Sequence, residues 1–346
     1  MNTRKIRTMT ALILLATLVL SACGAAHTNN ENTASAETPG SQAGNGALAS
    51  ENAPSGTETA AQESATATRT FEHVMGSIEA PAEPQRVIAV YMEDYLAALG
   101  VKPVMQTVIG TFSLQYLSPY IGDLPPIDTS AISFEAALAA QPDLIVLGFP
   151  NYASEGKYES FSAIAPTYVF GEDAPNQWRE SLLTMGKLLG KEKEAEQVLA
   201  DYTAKVEQAR ATLKAAIGEE TVAMIRMRSD KELRLYGGPG GYVGNVMYTD
   251  LGLTPPDIVK ELAWGEKSMV VVSQEIISDL KVDHLFVTYD EGGKERAEEM
   301  MASTLWQSIP AVQKGQVYEV AMDHWMTFGP LAYNQKVDDL LAALAK

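Results

Sequence analysis

The chain predicts an α/β fold: two Rossmann-like lobes, each with a mostly parallel sheet, joined by one long α-helix. Three observations carry this expectation. First, Lys191–Ile217 runs for 27 residues without Gly or Pro, bracketed by Gly190 and Gly218. Its apolar side chains fall at Ala195, Val198, Leu199, Tyr202, Val206, Ala209, Leu213 and Ile217, the spacing of one helical face. At about 1.5 Å per residue such a helix is roughly 40 Å long, more than one small lobe needs. Second, short apolar strands alternate with helical stretches on both sides of it, the pattern of βαβ units. Third, the halves share a motif. Ser133 and Glu135 are followed by Asp143, and Ser273 and Glu275 by Asp283, with a Glu-to-Asp spacing of eight in both.

Taken in order, residues 1–22 are not fold. Arg4, Lys5 and Arg7 precede an apolar run from about Met9 to Leu20, then Leu20-Ser21-Ala22-Cys23. This is a signal peptide whose apolar run is too short for a permanent membrane span. Small residues directly before Cys23, the only cysteine, make the segment look like a bacterial lipobox, which implies cleavage before Cys23 and its acylation. Residues 23–68 are Ala, Ser, Thr, Asn, Glu and Gly with almost no large apolar side chain. Such a segment buries too little surface to offset its ordering entropy, and a flexible tether is expected.

The N-terminal lobe, 69–190, contains expected strands at Arg86–Tyr91, Pro103–Ile109, Leu144–Phe149 and Thr167–Phe170, with helices between. The bridging helix spans 191–217. The C-terminal lobe, 218–346, restarts the series with strands at Thr221–Arg228, Leu233–Tyr236, Leu285–Tyr289 and Val317–Val320, and closes with a helix over Pro330–Ala345. In each lobe the Ser begins a helix that runs to the Asp of the next strand. Ser as N-cap and Glu in a first turn suit any helix; a matched acidic point on each lobe also suits a symmetric basic partner.

The net charge is −18. Removing the three N-terminal cations and the tether's five glutamates leaves 23 basic and 39 acidic residues, about −16 for the body. That argues against nucleic acid and against electrostatic adhesion to anionic lipid. No G-x-S-x-G elbow, H-E-x-x-H or P-loop occurs, and no enzyme activity is expected.

Four stretches carry a resemblance: HVMGSIEAPAEPQRVIAV (73–90), ISFEAALAAQPDLIV (132–146), LYGGPGGYVGNVMYTDLGL (235–253) and TLWQSIPAVQKGQVYEV (304–320). In this order, behind a lipobox and tether, the chain from about Phe71 to Lys346 resembles the substrate-binding lipoproteins of ABC importers for ferric siderophores, relatives of the cobalamin and haem binders. The resemblance implies two lobes bridged by a single helix, a ligand in the cleft between them, and a monomer anchored by lipid to the outer face of the cytoplasmic membrane. It also implies one glutamate per lobe pairing with arginines on a dimeric permease driven by a cytoplasmic ATPase. The matching positions are Glu135 and Glu275.

Direct metal binding lacks ligands. Beyond the tether there are only His73, His284 and His324, far apart in sequence. No cofactor is expected; the ligand is an iron(III)–siderophore complex, with cobalamin, haem or ferric citrate as alternatives. Oxygen-rich chelates suit arginine, and Arg226 and Arg228 share one strand face. They either pair with acids such as Asp230 or Glu232, or line the cleft at the strand ends. The aromatic candidates at strand ends are Tyr91, Phe149, Tyr152, Tyr242, Tyr289 and Trp325, each able to pack in the core or against a greasy chelate. Gly237–Gly241 is a loop that lets Tyr242 reach inward. Few basic residues stand at the N-lobe strand ends, which favours a hydroxamate or citrate-based complex over a catecholate.

Overall fold

The computed structural model describes residues 67–346 apart from Lys231 and Glu291. The expected signal peptide, the lipidation site Cys23 and all but the last two residues of the tether lie outside the described residues.

A hairpin opens the described chain, β1 (Thr68–His73) with β2 (Gly76–Pro81). The first α/β series follows: β3 (Val87–Val90), α1 (Glu93–Ala98), β4 (Gln106–Ile109), β5 (Phe112–Ser113), α2 (Ser118–Ile121), β6 (Pro126–Asp128), α3 (Phe134–Ala139), β7 (Leu144–Leu147), α4 (Lys157–Ser162) and β8 (Thr167–Val169). Strands β3, β7 and β8 form an all-parallel sheet. Every residue in them is buried, which is why they read as unbroken apolar runs rather than alternating ones. The expected strand at 103–109 is shorter. It begins at Gln106 and belongs to a second small sheet of order β5-β4-β6.

Two helices lead out of this lobe, α5 (Trp178–Leu189) and α6 (Glu192–Ile217). Gly190 separates them in the left-handed conformation, with φ 66°. Ala195, Tyr202, Val206, Ala209 and Leu213 of α6 are buried, the face anticipated from spacing. Lys191 sits outside the helix as its N-cap.

The second series is β9 (Val222–Met227), β10 (Leu233–Tyr236), α7 (Gly241–Gly244) running into a π-helical turn over Asn245–Asp250, α8 (Asp257–Leu262), β11 (Met269–Val272), β12 (His284–Tyr289), α9 (Lys294–Met301), α10 (Pro310–Gln313), β13 (Val317–Glu319), α11 (Met322–Trp325) and α12 (Pro330–Leu344). Its five-stranded sheet has the order β11-β10-β9-β12-β13. Strands β9, β12 and β13 are parallel, while β10 runs antiparallel to both β9 and β11. The short β9–β10 connection leaves no room for a crossover helix, so reversal of direction is the only option.

The repeated motif has a structural basis at its Asp. Asp143 accepts the backbone N–H of Gln85 and Arg86 at 2.7 and 2.9 Å, just before β3. Asp283 accepts the N–H and hydroxyl of Thr221 at 3.0 and 2.9 Å, just before β9. Each carboxylate thereby fastens the start of one central strand to the next parallel strand. The Ser half of the motif is unequal. Ser133 Oγ accepts Ala136 N–H at 3.2 Å and caps α3. Ser273 makes no side-chain cap, and Gln274–Asp279 is a 3₁₀ turn instead of the expected α-helix.

The long helix is not the only tie between the two series. One hydrophobic cluster runs through β3, β7, α5, α6, β9, β12 and α12. In addition, Asp94 of α1 accepts the N–H of Leu331 and Ala332, both at 2.9 Å, at the start of α12. A side chain from the first series therefore caps the last helix of the second. The close fit requires Gly329: a Cβ there would stand 2.4 Å from the Asp94 carboxyl, on a backbone with φ 133°.

Candidate functional site

Parallel strands place their C-terminal ends together, and helices beginning there point N–H groups the same way. In the N-terminal series these ends carry Tyr91 after β3 and Phe149 and Tyr152 after β7. The structure gathers all three. Tyr91 stacks on Tyr152 with ring centroids 5.8 Å apart, and Phe149 meets Tyr91 and Tyr152 edge-on or tilted at 6.3 and 6.2 Å. Tyr91 is also one of three non-glycine residues with positive φ among the described residues, at 63°. Its N–H is held by the Thr107 hydroxyl at 3.0 Å, and Thr107 N–H by the buried Glu93 carboxylate at 2.5 Å. Strain held by such a network is typical of functional positions.

In the C-terminal series the register sets Tyr289 of β12 beside Met227 of β9. Asp290, the next residue, therefore meets the arginines. Arg226 donates to Asp290 Oδ1 from Nε at 2.7 Å and from its second nitrogen at 2.6 Å. Arg228 stands 3.6 Å from both Asp290 and Asp230. Of the acids anticipated, Asp230 is a partner and Glu232 pairs instead with Arg234 at 2.5 Å; the central acid, Asp290, was missed. With Asp290 shared between the arginines and Asp230 beside Arg228, the charges at this spot nearly balance. Burial pushes the Tyr91 phenol up, Glu93 adds to the rise and Arg226 opposes it. The Arg226 guanidinium thus acts on the aromatic cluster from the facing series.

Tyr242 packs at the tail of this group. Its ring lies 5.9 Å from Tyr236 and 5.7 Å from the Lys336 ammonium. The neighbouring glycines serve close packing: a Cβ at Gly237 would collide with the Ala263 carbonyl, and one at Gly244 with the carbonyl of Gly237. Tyr289 is more open. Its hydroxyl donates to Glu319, and Lys294 lies 5.6 Å over its ring.

Trp325 is a correction. It is completely buried, its indole N–H donates to Asp339 at 2.7 Å, and its ring stacks on Phe286 at 5.7 Å. It is a core residue beneath α12 and has no surface to offer a ligand. A strand-end position in sequence could not reveal that α11 turns the ring inward.

A cavity of about 580 Å³ opens between the two series. Thr111, Phe112 and Gln115 line it on one side, and Tyr289, Asp290 and Lys294 on the other. Its size suits a small-molecule ligand. A larger one, about 650 Å³, lies at the opposite end of the C-terminal sheet, by Thr221, Lys260 and Lys281. It contains no candidate residue and lies away from the strand ends that carry the arginines. Among the described residues no cluster of three His, Cys, Asp or Glu side chains is arranged to hold a metal ion.

Glu135 and Glu275 are both exposed. Each follows the C-terminal end of an outer strand, β6 and β11 respectively. The β10 register aligns Val272 with Leu233 and Leu233 with Met227, so Glu275 emerges on the edge that holds Arg228. Neither glutamate has an ion-pair partner among the described residues.

Residues 90–323 match the family model described as periplasmic binding protein. The chain belongs to the periplasmic binding protein family. This membership puts it among solute-binding proteins and not among enzymes. It is similar to the probable siderophore-binding lipoprotein YfiY of Bacillus subtilis, 30% identical over 80% of this chain and 88% of the relative. The iron(3+)-hydroxamate-binding protein YxeB of the same organism is 25% identical over 80% of this chain and 85% of YxeB. Among solved structures, Staphylococcus aureus SirA complexed with staphyloferrin B superposes with a TM-score of 0.67 and 28% identity, covering 80% of this chain and 98% of SirA. The two-lobe α/β fold read from the sequence is that of these relatives.

Proposed function

We propose that this protein is an extracytoplasmic receptor that binds a ferric siderophore in the cleft between its lobes and delivers it to an ABC permease for iron uptake. The observation that carries the reading is a cluster at the strand ends of each series, Tyr91–Phe149–Tyr152 in the first and Arg226 and Arg228 with their shared Asp290 in the second, with Arg226 near enough to act on the Tyr91 phenol. Aromatic faces cover the greasy part of a chelate, and guanidinium N–H groups meet its oxygens. In this arrangement Arg226, Arg228, Tyr91, Phe149, Tyr152, Tyr242 and Tyr289 form the ligand-binding set.

Charge favours one ligand class. A ferric ion wrapped by hydroxamates carries little net charge, whereas a ferric catecholate is strongly anionic. Asp290 and Asp230 offset Arg226 and Arg228, and Glu232 offsets Arg234. This near balance suits the weakly charged hydroxamate or a citrate-based complex over a strongly anionic catecholate. YxeB, named for hydroxamate binding, is in keeping with this. Acylation at Cys23 would hold the receptor at the membrane, residues 69–190 and 218–346 would act as the two lobes, and Glu135 and Glu275 would pair with permease arginines.

Tryptophan and tyrosine fluorescence of the protein lacking residues 1–66 tests the reading. Titration with ferrichrome, ferric citrate and ferric enterobactin should give saturable quenching by ferrichrome or ferric citrate at the lowest concentrations. Tightest binding of the catecholate would overturn the ligand class, and no binding by any of the three would count against a siderophore. Cobalamin and haem, added to the same panel, test the alternative chelates.

A further inference from the structure

We propose that Tyr116 is a positioning residue that fixes the Thr111–Gln115 wall of the inter-lobe cavity to the C-terminal series. The inference rests on the proposed function and on its ligand reaching into this cavity, which shares Tyr289 and the arginine-binding Asp290 with the proposed site. Tyr116 lies in the first series by sequence, yet it is tied to the second series twice, directly through its backbone N–H and by way of Asp94 through its hydroxyl. Its hydroxyl donates to Asp94 Oδ2 at 2.7 Å, and the same carboxylate accepts Leu331 N–H and Ala332 N–H of α12. Its backbone N–H donates to Asp323 Oδ2 of α11 at 2.9 Å.

Asp323 is itself immobilised. His324 donates its own N–H to Asp323 Oδ1 at 2.8 Å, and its ring bridges Asp323 and Asp339 at 3.2 and 2.7 Å. The Tyr116 ring meets the His324 ring edge-on at 6.2 Å. Around these polar contacts Tyr116, Leu117, Ile121 and Ala332 form a small apolar cluster of their own, separate from the cores of the two series. Ala332 comes from α12, so this cluster is packed between the lobes.

The consequence concerns the cavity. Gln115 precedes Tyr116 and, with Thr111, Phe112 and Ser113, lines one wall; Ala321, Met322 and Asp323 line the facing one. Tyr116 N–H to Asp323 is thus a direct tie from one wall of the cavity to the other. A wall pinned at one end has less freedom to lose when a ligand is bound, which raises affinity without a new contact.

The test pairs Tyr116→Phe, which keeps the ring and removes the hydroxyl, with Asp323→Ala, which removes the acceptor of Tyr116 N–H; Tyr120→Phe, on an exposed tyrosine of the same segment, is the control. Hydrogen exchange of the ligand-free protein should quicken in peptides covering residues 111–121 in Tyr116→Phe and Asp323→Ala and not in Tyr120→Phe, with circular dichroism unchanged. Ferrichrome should dissociate about tenfold faster, the scale of one hydrogen bond to a charged group. Unchanged exchange in 111–121 in both Tyr116→Phe and Asp323→Ala overturns the pin. Faster exchange with unchanged ferrichrome dissociation overturns its role in positioning. If the unsubstituted protein binds none of the ferric complexes, the proposed function fails, and the exchange measurement still decides whether Tyr116 is a pin.

Discussion

Asp290 holds Arg226 through two guanidinium nitrogens at 2.6 and 2.7 Å. The pair is mostly shielded from solvent, with side-chain exposures of 16% and 15%. It turns a strand-end arginine into a fixed fork instead of a swinging cation, and it sets how much positive charge the cleft offers.

Removing either partner has opposite consequences. Arg226→Ala should weaken ferrichrome binding by about tenfold or more, from the loss of a charged hydrogen bond worth roughly 1.5–3 kcal/mol. Asp290→Asn should release a unit of positive charge and shift preference toward ferric enterobactin relative to ferrichrome. Quenching titrations of the two variants with both complexes decide this; an unaltered preference in Asp290→Asn would show that charge does not govern selection.

Glu135→Ala with Glu275→Ala should abolish iron uptake by cells while leaving ferrichrome affinity in solution unchanged. Both side chains are exposed and outside the aromatic and arginine cluster. Radio-iron uptake and quenching titration, run in parallel, separate docking from binding. Lost affinity in the purified double variant would remove the docking role.

Trp325→Ala should act on stability and not on the ligand. A fully buried tryptophan with a satisfied indole N–H costs about 3–5 kcal/mol when truncated. The denaturation midpoint should fall accordingly, with the ligand affinity of the folded fraction preserved.

Acid should first strengthen and then weaken the fold. Burial raises Glu93 to about 7 and Asp94 to about 6, each above its unfolded value. For such groups the folded state binds more protons, so stability rises as pH falls from about 7 toward the ordinary carboxylate range. Asp283 behaves in the opposite sense: its hydrogen bonds from Thr221 hold it at about 2, so its contribution is lost as pH drops below about 4. Urea midpoints measured from pH 8 to pH 3 should pass through a maximum near pH 5. Asp94→Asn should flatten the alkaline side of that curve.

Much of the fold was legible because burial writes itself into local pattern. The strands β3 and β7 show as runs of branched apolar residues, and α6 shows as a stripe with glycines at its ends. Leu233–Tyr236 was placed to the residue, but its antiparallel pairing was not visible, since strand direction depends on the length and path of the connection. The candidate site was legible in part. Tyr91, Phe149, Tyr152, Arg226 and Arg228 stood out as strand-end residues of suitable chemistry, and the fold brings them to facing ends. Trp325 carried the same local signature and sits in the core.

Sequence by itself determined the α/β class, the long helix, the matched Glu-to-Asp spacing and the family resemblance. These depend on periodicity, composition and order along the chain, which are local or nearly so. Tertiary structure alone decided the partners. Asp290 reaches Arg226 only through the parallel register of β12 with β9, 64 residues apart in sequence. Asp94 reaches Leu331 and Ala332 across 237 and 238 residues. Such contacts arise when separate elements pack into one core, and a carboxylate bears no local mark of which distant N–H it will accept.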